Sequence, residues 1–261
     1  MNNVKKILSC AGSDSCGGAG IQADIKTISA LGHYAMTAVT ALTAQNTTGV
    51  SLAQAVSPEM MKAQLDMVFT DIFPDAVKTG MLMNGENTAI IADRLEFYKA
   101  ENIVCDTVIM STSGRQLLDD DGVDIFIKRL MPIAEVITPN IPEAERLCGM
   151  KIRTPLDMEK AARSLSDNTK GGVLIKGGHL EGKALDILLY KGKFYYMESP
   201  RINNPNTHGT GCTLSSAIAC GLAEGKSLPE AAECAKKYIT KVISAGLDIG
   251  SGNGPMWHFV H

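Results

Sequence analysis

Aromatic side chains are scarce in this sequence: 261 residues include one Trp, six Phe and six Tyr. A core must therefore be built from aliphatic, Ala and Met side chains. The 45% hydrophobic content supplies enough of them for one large core. No Pro/Ser-rich or charged linker divides the chain, so residues 1–261 read as a single domain. A basic excess is also missing. The formal net charge is −3, which speaks against a nucleic-acid partner. No run approaches the roughly 20 apolar residues of a membrane span, so no membrane partner is expected. The seven cysteines include no Cys-x-x-Cys pair, which removes the usual structural zinc arrangement. An odd cysteine count without a secretory pattern suits a reducing, cytoplasmic setting. Lys5 to Cys10 resembles a lipoprotein cleavage site, but the apolar stretch before Cys10 is far too short for a signal peptide.

Several catalytic signatures are absent as well. No His-x-x-x-His or His-Glu-x-x-His spacing links His33, His179 and His208, which disfavours a zinc hydrolase. No Gly-x-Ser-x-Gly elbow exists. No glycine is followed, after four residues, by Gly-Lys-Ser/Thr, so there is no P-loop.

What is present is an alternation of short apolar runs with longer amphipathic stretches. Strands are predicted over Ile7 to Ala11, Ile103 to Met110, Glu135 to Thr138 and Val173 to Lys176, with a further apolar run over Ala38 to Ala44. Helices are predicted over Gly18 to Leu31, Pro58 to Ile72, Thr88 to Tyr98, Ile125 to Met131, Leu156 to Leu165, Thr213 to Ala223 and Pro229 to Ala245. In the second of these, Met60, Met61, Leu65, Val68 and Phe69 share one face. Ala184 to Tyr190 and Lys193 to Met197 read as a hairpin around Gly192. The alternation predicts an α/β fold, with a mostly parallel central sheet flanked by helices on both faces. Ligands then bind at the carboxyl ends of the strands, where Gly and polar clusters fall in this sequence.

Each cluster admits two readings. Gly209-Thr210-Gly211-Cys212-Thr213 precedes an Ala/Ser-rich helix. Its amides and the helix N-terminus suit an anion, or the glycines merely open a helix. Cys212 falls on the first turn, where a thiol pKa is lowered; it is a candidate base or nucleophile, or a small buried hydrophobe. Gly18 to Ala23 matches the dinucleotide fingerprint formally, but no Asp or Glu occurs between Asp24 and Glu59 to hold a ribose. Asn140 and Glu143 offer hard oxygens suited to Mg²⁺, or they cap a helix. Lys176 ends a strand before Gly177 and Gly178 and is a candidate phosphate contact, or a solvated lysine at a turn. Asp106 lies inside an apolar run, where a carboxylate is costly unless paired or ligating; a role near metal or phosphate is expected.

In this order the clusters resemble the hydroxymethylpyrimidine/phosphomethylpyrimidine kinases of thiamin biosynthesis, within the ribokinase superfamily. The resemblance runs from Ala11-Gly12-Ser13-Asp14 and Gly17 to Asp24, through Thr40 to Thr47, Lys78 to Leu82, Thr138 to Glu145 and Lys176 to Leu180, to Asn206 to Thr213 and Gly254-Pro255. It implies a ribokinase-like fold, ATP, Mg²⁺, a small pyrimidine alcohol as substrate, and a homodimer. Carried over by position, Gln45 reads the aminopyrimidine edge. Gly12, Ala19 and Met81 line the pocket. Asn140 and Glu143 form the metal–phosphate motif, and Lys176 meets the nucleotide phosphates. Gly209, Thr210, Gly211 and Cys212 form an anion hole, with Cys212 where related sugar kinases carry an Asp base. Thr107 departs from the family, which often has Pro there. Two rivals remain open: a pyridoxal/pyridoxine kinase of the same fold, which the Thr43 to Thr47 segment resembles less, and a non-catalytic ligand-binding protein on the same scaffold.

Overall fold

A computed structural model describes residues 4–110, 116–178 and 184–260; His179 and Leu180 of the Lys176 cluster lie outside them. The strands are β1 (Lys6–Asp14), β2 (Tyr34–Asn46), β3 (Gly49–Ala55), β4 (Ala76–Thr79), β5 (Ile103–Cys105), β6 (Val136–Ile137), β7 (Gly172–Lys176), β8 (Ala184–Tyr190) and β9 (Lys193–Ser199). The helices are α1 (Gly20–Ala30), α2 (Pro58–Asp71), α3 (Gly85–Phe97), α4 (Asp120–Ile125), α5 (Ile141–Cys148), α6 (Pro155–Ser166), α7 (Thr210–Ala223) and α8 (Leu228–Ala245).

All nine described strands join one sheet in the order β3-β2-β1-β4-β5-β6-β7-β8-β9. From β2 to β7 every neighbouring pair is parallel. β3 and the β8–β9 hairpin add antiparallel edges. Period-2 alternation splits each central strand between two cores. Leu8, Ile103, Ile137 and Ile175 face a layer with Met61, Leu65 and Phe69 of α2, Ile91 of α3 and Met158 of α6. Ile7, Val104, Val136 and Leu174 face the opposite layer, with Ile28 of α1, Ile218 of α7 and Ala231 and Ile239 of α8. Helices thus cover both faces of a mostly parallel sheet, as expected.

Some expectations need correction. The strand predicted over Ile103 to Met110 stops at Cys105. Past it, Val108 N–H bonds to Asp106 O at 2.9 Å and Ile109 N–H to Thr107 O at 2.8 Å, so tight local turns replace the ladder. The apolar character of Ile109 reflects burial rather than pairing. Met60 is 56% exposed and off the buried face of α2, which Met61, Leu65 and Phe69 form. The helix predicted at Ile125 begins earlier, at Asp120, because Asp119 caps it by accepting the Gly122 N–H at 2.7 Å. It continues as a π-helical turn (Phe126–Leu130) and a 3-10 turn (Met131–Ile133). β3 was not foreseen; its exposed, weakly apolar residues form an edge strand only by pairing with β2. Among the described residues no helix is long and apolar enough to cross a membrane.

Candidate active site

The carboxyl ends of β5, β6 and β7 bring Asp106, Asn140 and Lys176 together. Asp106 N–H still bonds to Thr79 O, Thr138 N–H to Cys105 O, and Lys176 N–H to Pro139 O, so the three strand ends stay in register. The Lys176 ammonium donates to Asp106 Oδ1 at 2.9 Å, and Thr138 Oγ1 donates to the same oxygen at 3.0 Å. Burial would raise the Asp106 carboxyl, but the charges of Lys176 and Lys78 outweigh it and hold it below the usual range. Burial would likewise depress Lys176, and Asp106 and Glu143 reverse that. The sequence left Asp106 needing a partner, and Lys176 is that partner.

Asn140 and Glu143 take up the capping reading. Asn140 caps α5, its Oδ1 accepting the Glu143 N–H at 2.9 Å, while Glu143 Oε2 accepts the Asn140 N–H at 2.9 Å. Glu143 Oε2 also accepts the Thr107 hydroxyl at 2.9 Å, a bond that Pro at that position has no group to make. Glu143 is only 3% exposed. Burial, together with the charge of Asp106 and against that of Lys176, pushes its carboxyl up to about 7. The carboxyl groups of Asp106 and Glu143 both act on the Lys176 ammonium, and the hydrogen bonds Glu143 accepts among the described residues all fall on Oε2. That surplus of hard oxygen fits a divalent cation such as Mg²⁺.

α7 starts directly against this group. Its N-cap, Gly209, has φ +88°, and an added Cβ there would overlap the Gly18 carbonyl. Only glycine satisfies both conditions. A Cβ on Gly211 would lie 3.4 Å from both Asp106 Oδ2 and Lys176 Nζ. The opening turn of α7 thus lies against the Asp106–Lys176 pair, with Thr210 N–H tied back to Thr207 O at 3.3 Å. Cys212 lies on that turn and is partly exposed. Its pKa corrects the expectation from helix position. Burial pushes the thiol up to about 11, the opposing charge of Lys78 notwithstanding. Desolvation outweighs the helix dipole because the thiol also lies near the charges of Asp24 and Asp106.

The proposed pocket residues gather beside the same turn. A Cβ on Gly12 would collide with the Met81 methyl, and one on Gly209 would come within 3.2 Å of Ala19 Cα. Ala19 therefore adjoins the Gly209 turn, while Gly12 packs against Met81 and its carbonyl lies where a Cβ on Gly20 would fall. Gln45 stands at the end of β2, where its Oε1 accepts the Thr43 hydroxyl at 3.2 Å and its Nε2 lies 3.1 Å from His208 Nε2. A cleft of about 540 Å³ opens beyond Gln45, lined by Ser15, Ala44, Asn46 and Thr48. It lies toward the β2–β3 edge, away from Lys176, so it is not where the charged groups converge.

Sequence reasoning missed three residues. His208 was treated as one of several scattered histidines, yet it joins Gln45 to Asp14, with Nε2 2.8 Å from Asp14 Oδ2. Its place directly before Gly209 was the available signal. Lys78 is fully buried and paired with Asp24, its Nζ 2.9 Å from both carboxylate oxygens. Nothing local in the sequence marks that pair.

A family model described as phosphomethylpyrimidine kinase matches residues 14–257. The hydroxymethylpyrimidine/phosphomethylpyrimidine kinase of Streptomyces coelicolor is 44% identical over 252 residues, covering 97% of this chain and 93% of that one. The thiamine biosynthesis bifunctional protein ThiED of Geobacter sulfurreducens is 49% identical over 97% of this chain, which spans 52% of that longer protein. The crystal structure of phosphomethylpyrimidine kinase from Clostridium difficile superposes with a TM-score of 0.83 at 44% identity, covering 92% of this chain and 100% of that one. A Staphylococcus aureus pyridoxal kinase in complex with AMP-PCP and pyridoxal superposes with a TM-score of 0.91 at 34% identity, covering 99% and 94%. With the match spanning nearly all of its length, and with the strand-end clusters folded into one site, the chain belongs to the phosphomethylpyrimidine kinase family.

Proposed function

We propose that this protein transfers the γ-phosphoryl group of ATP to 4-amino-5-hydroxymethyl-2-methylpyrimidine, and then to the resulting monophosphate, in thiamin biosynthesis. One catalytic unit spanning residues 1–261 carries both steps. The observation that supports this reading most is the α7 N-terminus aimed at Lys176 beside two carboxylates. That arrangement suits a phosphoryl group in flight, where positioning and charge stabilisation dominate.

The amides from Gly209 to Cys212 face the transferring group and take up its developing charge. Lys176, held by Asp106, turns to the nucleotide phosphates. Asn140, Glu143 and Asp106 would hold Mg²⁺, which when bound screens the phosphate charge. Gln45 reads the aminopyrimidine edge, while Gly12, Ala19 and Met81 bound the ring. Cys212 takes the proton of the substrate hydroxymethyl group. A homodimer in the cytoplasm is the assembly and setting proposed with it, and sedimentation of the purified chain tests the dimer.

The likeness to a pyridoxal kinase supports a second reading, that pyridoxine or pyridoxal is the acceptor. Relatives named for the pyrimidine are 41–47% identical against 34–35% for the pyridoxal kinases, which favours the pyrimidine. Measuring ADP release with the pyrimidine alcohol, its monophosphate and pyridoxine separates the readings. Turnover of both pyrimidines, well above that of pyridoxine, is the expected result. Turnover of pyridoxine alone sinks the first reading, and no turnover with any of them leaves a binding protein.

A further inference from the structure

The loop between β1 and α1 gathers a donor set that phosphoryl transfer does not need. Asp14, Cys16 and His208 each turn one ligand atom inward, and these three atoms lie within 4.8 Å of one another. Asp14 Oδ2 is 2.8 Å from His208 Nε2 and 3.4 Å from Cys16 Sγ. Tetrahedral zinc, with bonds of about 2.0–2.3 Å, sets its ligand atoms about 3.3–3.7 Å apart, so the Asp14–Cys16 contact already fits and the Asp14–His208 contact opens by about 0.5 Å.

The hydrogen bonding is also overdrawn. Asp14 Oδ2 is approached by the N–H of Gly18 at 3.1 Å and of Ala19 at 2.8 Å, besides the thiol and the imidazole. His208 Nε2 faces both this carboxylate and the Gln45 amide nitrogen, 3.1 Å away. One ring nitrogen has either a proton to donate to Asp14 or a lone pair to accept from Gln45, never both. Turning the Gln45 amide over removes that conflict, and a divalent cation makes use of the same turn. It takes the Nε2 lone pair, the Asp14 oxygen and the Cys16 thiolate, releasing the thiol proton to solvent. With the amide turned, Gln45 presents Oε1 as a fourth ligand.

We propose that Asp14, Cys16 and His208 form a binding site for a thiophilic divalent cation of the zinc class, and that its occupation inhibits the enzyme by taking Gln45 away from the pyrimidine. The mixed S, N and O donors select such a cation over magnesium, which prefers oxygen alone. The −2 charge of the carboxylate and thiolate balances it. Lys26 of α1, whose ammonium bonds to Gly17 O at 2.7 Å, is the opposing charge against the same loop and limits affinity. His208 also packs against Gly18, where an added Cβ would strike its ring, so the cation ties the glycine loop to the segment before α7. The competition rests on Gln45 facing the pyrimidine, as proposed above; the donor set does not.

The test uses the full chain. Cadmium is titrated into metal-free protein while the cadmium–thiolate ultraviolet absorbance is followed, in wild type, Cys16→Ser, His208→Ala and Cys212→Ser. Melting curves confirm that each variant folds. The expected result is a one-equivalent thiolate band that Cys16→Ser abolishes and Cys212→Ser keeps. His208→Ala is expected to weaken it by at least about 10–100-fold, the range seen when a supporting partner of a metal site is lost. Zinc added at constant Mg²⁺-ATP, with ADP quantified by chromatography, is expected to raise the KM for the pyrimidine alcohol and leave that for ATP unchanged. A band that survives in Cys16→Ser overturns the site. A band lost in Cys16→Ser, with no zinc effect on the pyrimidine KM, overturns the inhibition and points to Gln45 as the misassigned residue.

Discussion

Replacing Lys78 by Met separates two consequences of one buried charge. Lys78 Nζ lies 2.9 Å from each Asp24 oxygen, and Asp24 also accepts Ser9 Oγ at 2.5 Å and Ser216 Oγ at 2.8 Å. The pair is wholly buried. Burial would depress the ammonium, but Asp24, Cys212 and Asp106 outweigh it and keep it charged. Ser216 follows Cys212 by one turn of α7, so the ion pair lies beneath the face that carries the thiol. At 2.9 Å and an effective dielectric near 20, the attraction is about 6 kcal/mol. Much of it offsets desolvation, so removing one partner costs about 3–5 kcal/mol, because Asp24 is then buried with only two hydroxyls. For a chain of this length that corresponds to a drop in Tm of about 6–20 °C. Removing both charges, in Lys78→Met/Asp24→Asn, is expected to restore most of this loss. The thiol follows a different course. In Lys78→Met Cys212 loses the opposing cation, so its alkylation by iodoacetamide at pH 9, mapped by mass spectrometry, slows with the thiolate fraction, and in the double variant it recovers in part because Asp24, which raises the thiol, is neutralised too. A single variant that melts with the wild type, or a double variant no more stable than the single, refutes the argument.

Other perturbations report on separate parts of the site. Cys212→Ala is expected to slow the first phosphorylation by about 10²–10⁴, the usual worth of a positioned base, and to spare the second largely; equal losses would remove Cys212 as the base. Gly209→Ala forces a side chain onto a φ of +88° and against the Gly18 carbonyl. Its kcat is expected to fall by about 10², the effect of misplacing reacting groups by 1 Å, while Gly178→Ala, which meets open space, stays near wild type. His258 is 1% exposed, its Nε2 3.1 Å from Thr213 Oγ1 and its Nδ1 without a partner among the described residues. Burial and the Lys26 charge push it down to about 4. The unfolded chain therefore binds this proton first, and stability is lost as pH falls from about 6.5 toward about 4, by at most about 3 kcal/mol. Urea midpoints across that range are expected to flatten in His258→Asn, and an unchanged slope would count against the assignment.

The sheet and its helices were legible because burial on both faces leaves unbroken apolar runs such as Val173 to Ile175, and because glycine and proline mark where the runs stop. The strand-end clusters were legible for the same reason, since topology alone puts them on one edge. What stayed hidden depends on pairs far apart in sequence. Lys78 ends an apolar run and looks solvated until Asp24, 54 residues away, comes beneath it. Thr107 looked like an inert departure until its hydroxyl met Glu143, 36 residues away. His208 gained meaning only from Asp14, 194 residues away. Local pattern reports periodicity and turns; it carries no term for which charge meets which.

Cys212 shows where a local rule and the folded environment part. Its place on the first turn of α7 argues for a depressed pKa, yet burial lifts the thiol to about 11. At neutral pH the thiolate is then only about one part in 10⁴. A base this rarely ionised works through its minority thiolate. On the proposed mechanism the thiol first gives its proton to solvent, and the thiolate then accepts the hydroxyl proton as charge passes from the acceptor oxygen to the phosphoryl group, with Lys176 and the α7 amides absorbing that charge. The thiol proton is therefore a problem for the alcohol step alone. A phosphate monoester, with a second pKa near about 6, arrives as the anion and has no proton to give up. The buried ammonium of Lys78 enters here as well, because it lowers the cost of the thiolate without touching either acceptor. Weakening that cation should thus slow the first transfer and leave the second nearly untouched. Rates that fall together in Lys78→Met would show that the charge serves the fold alone.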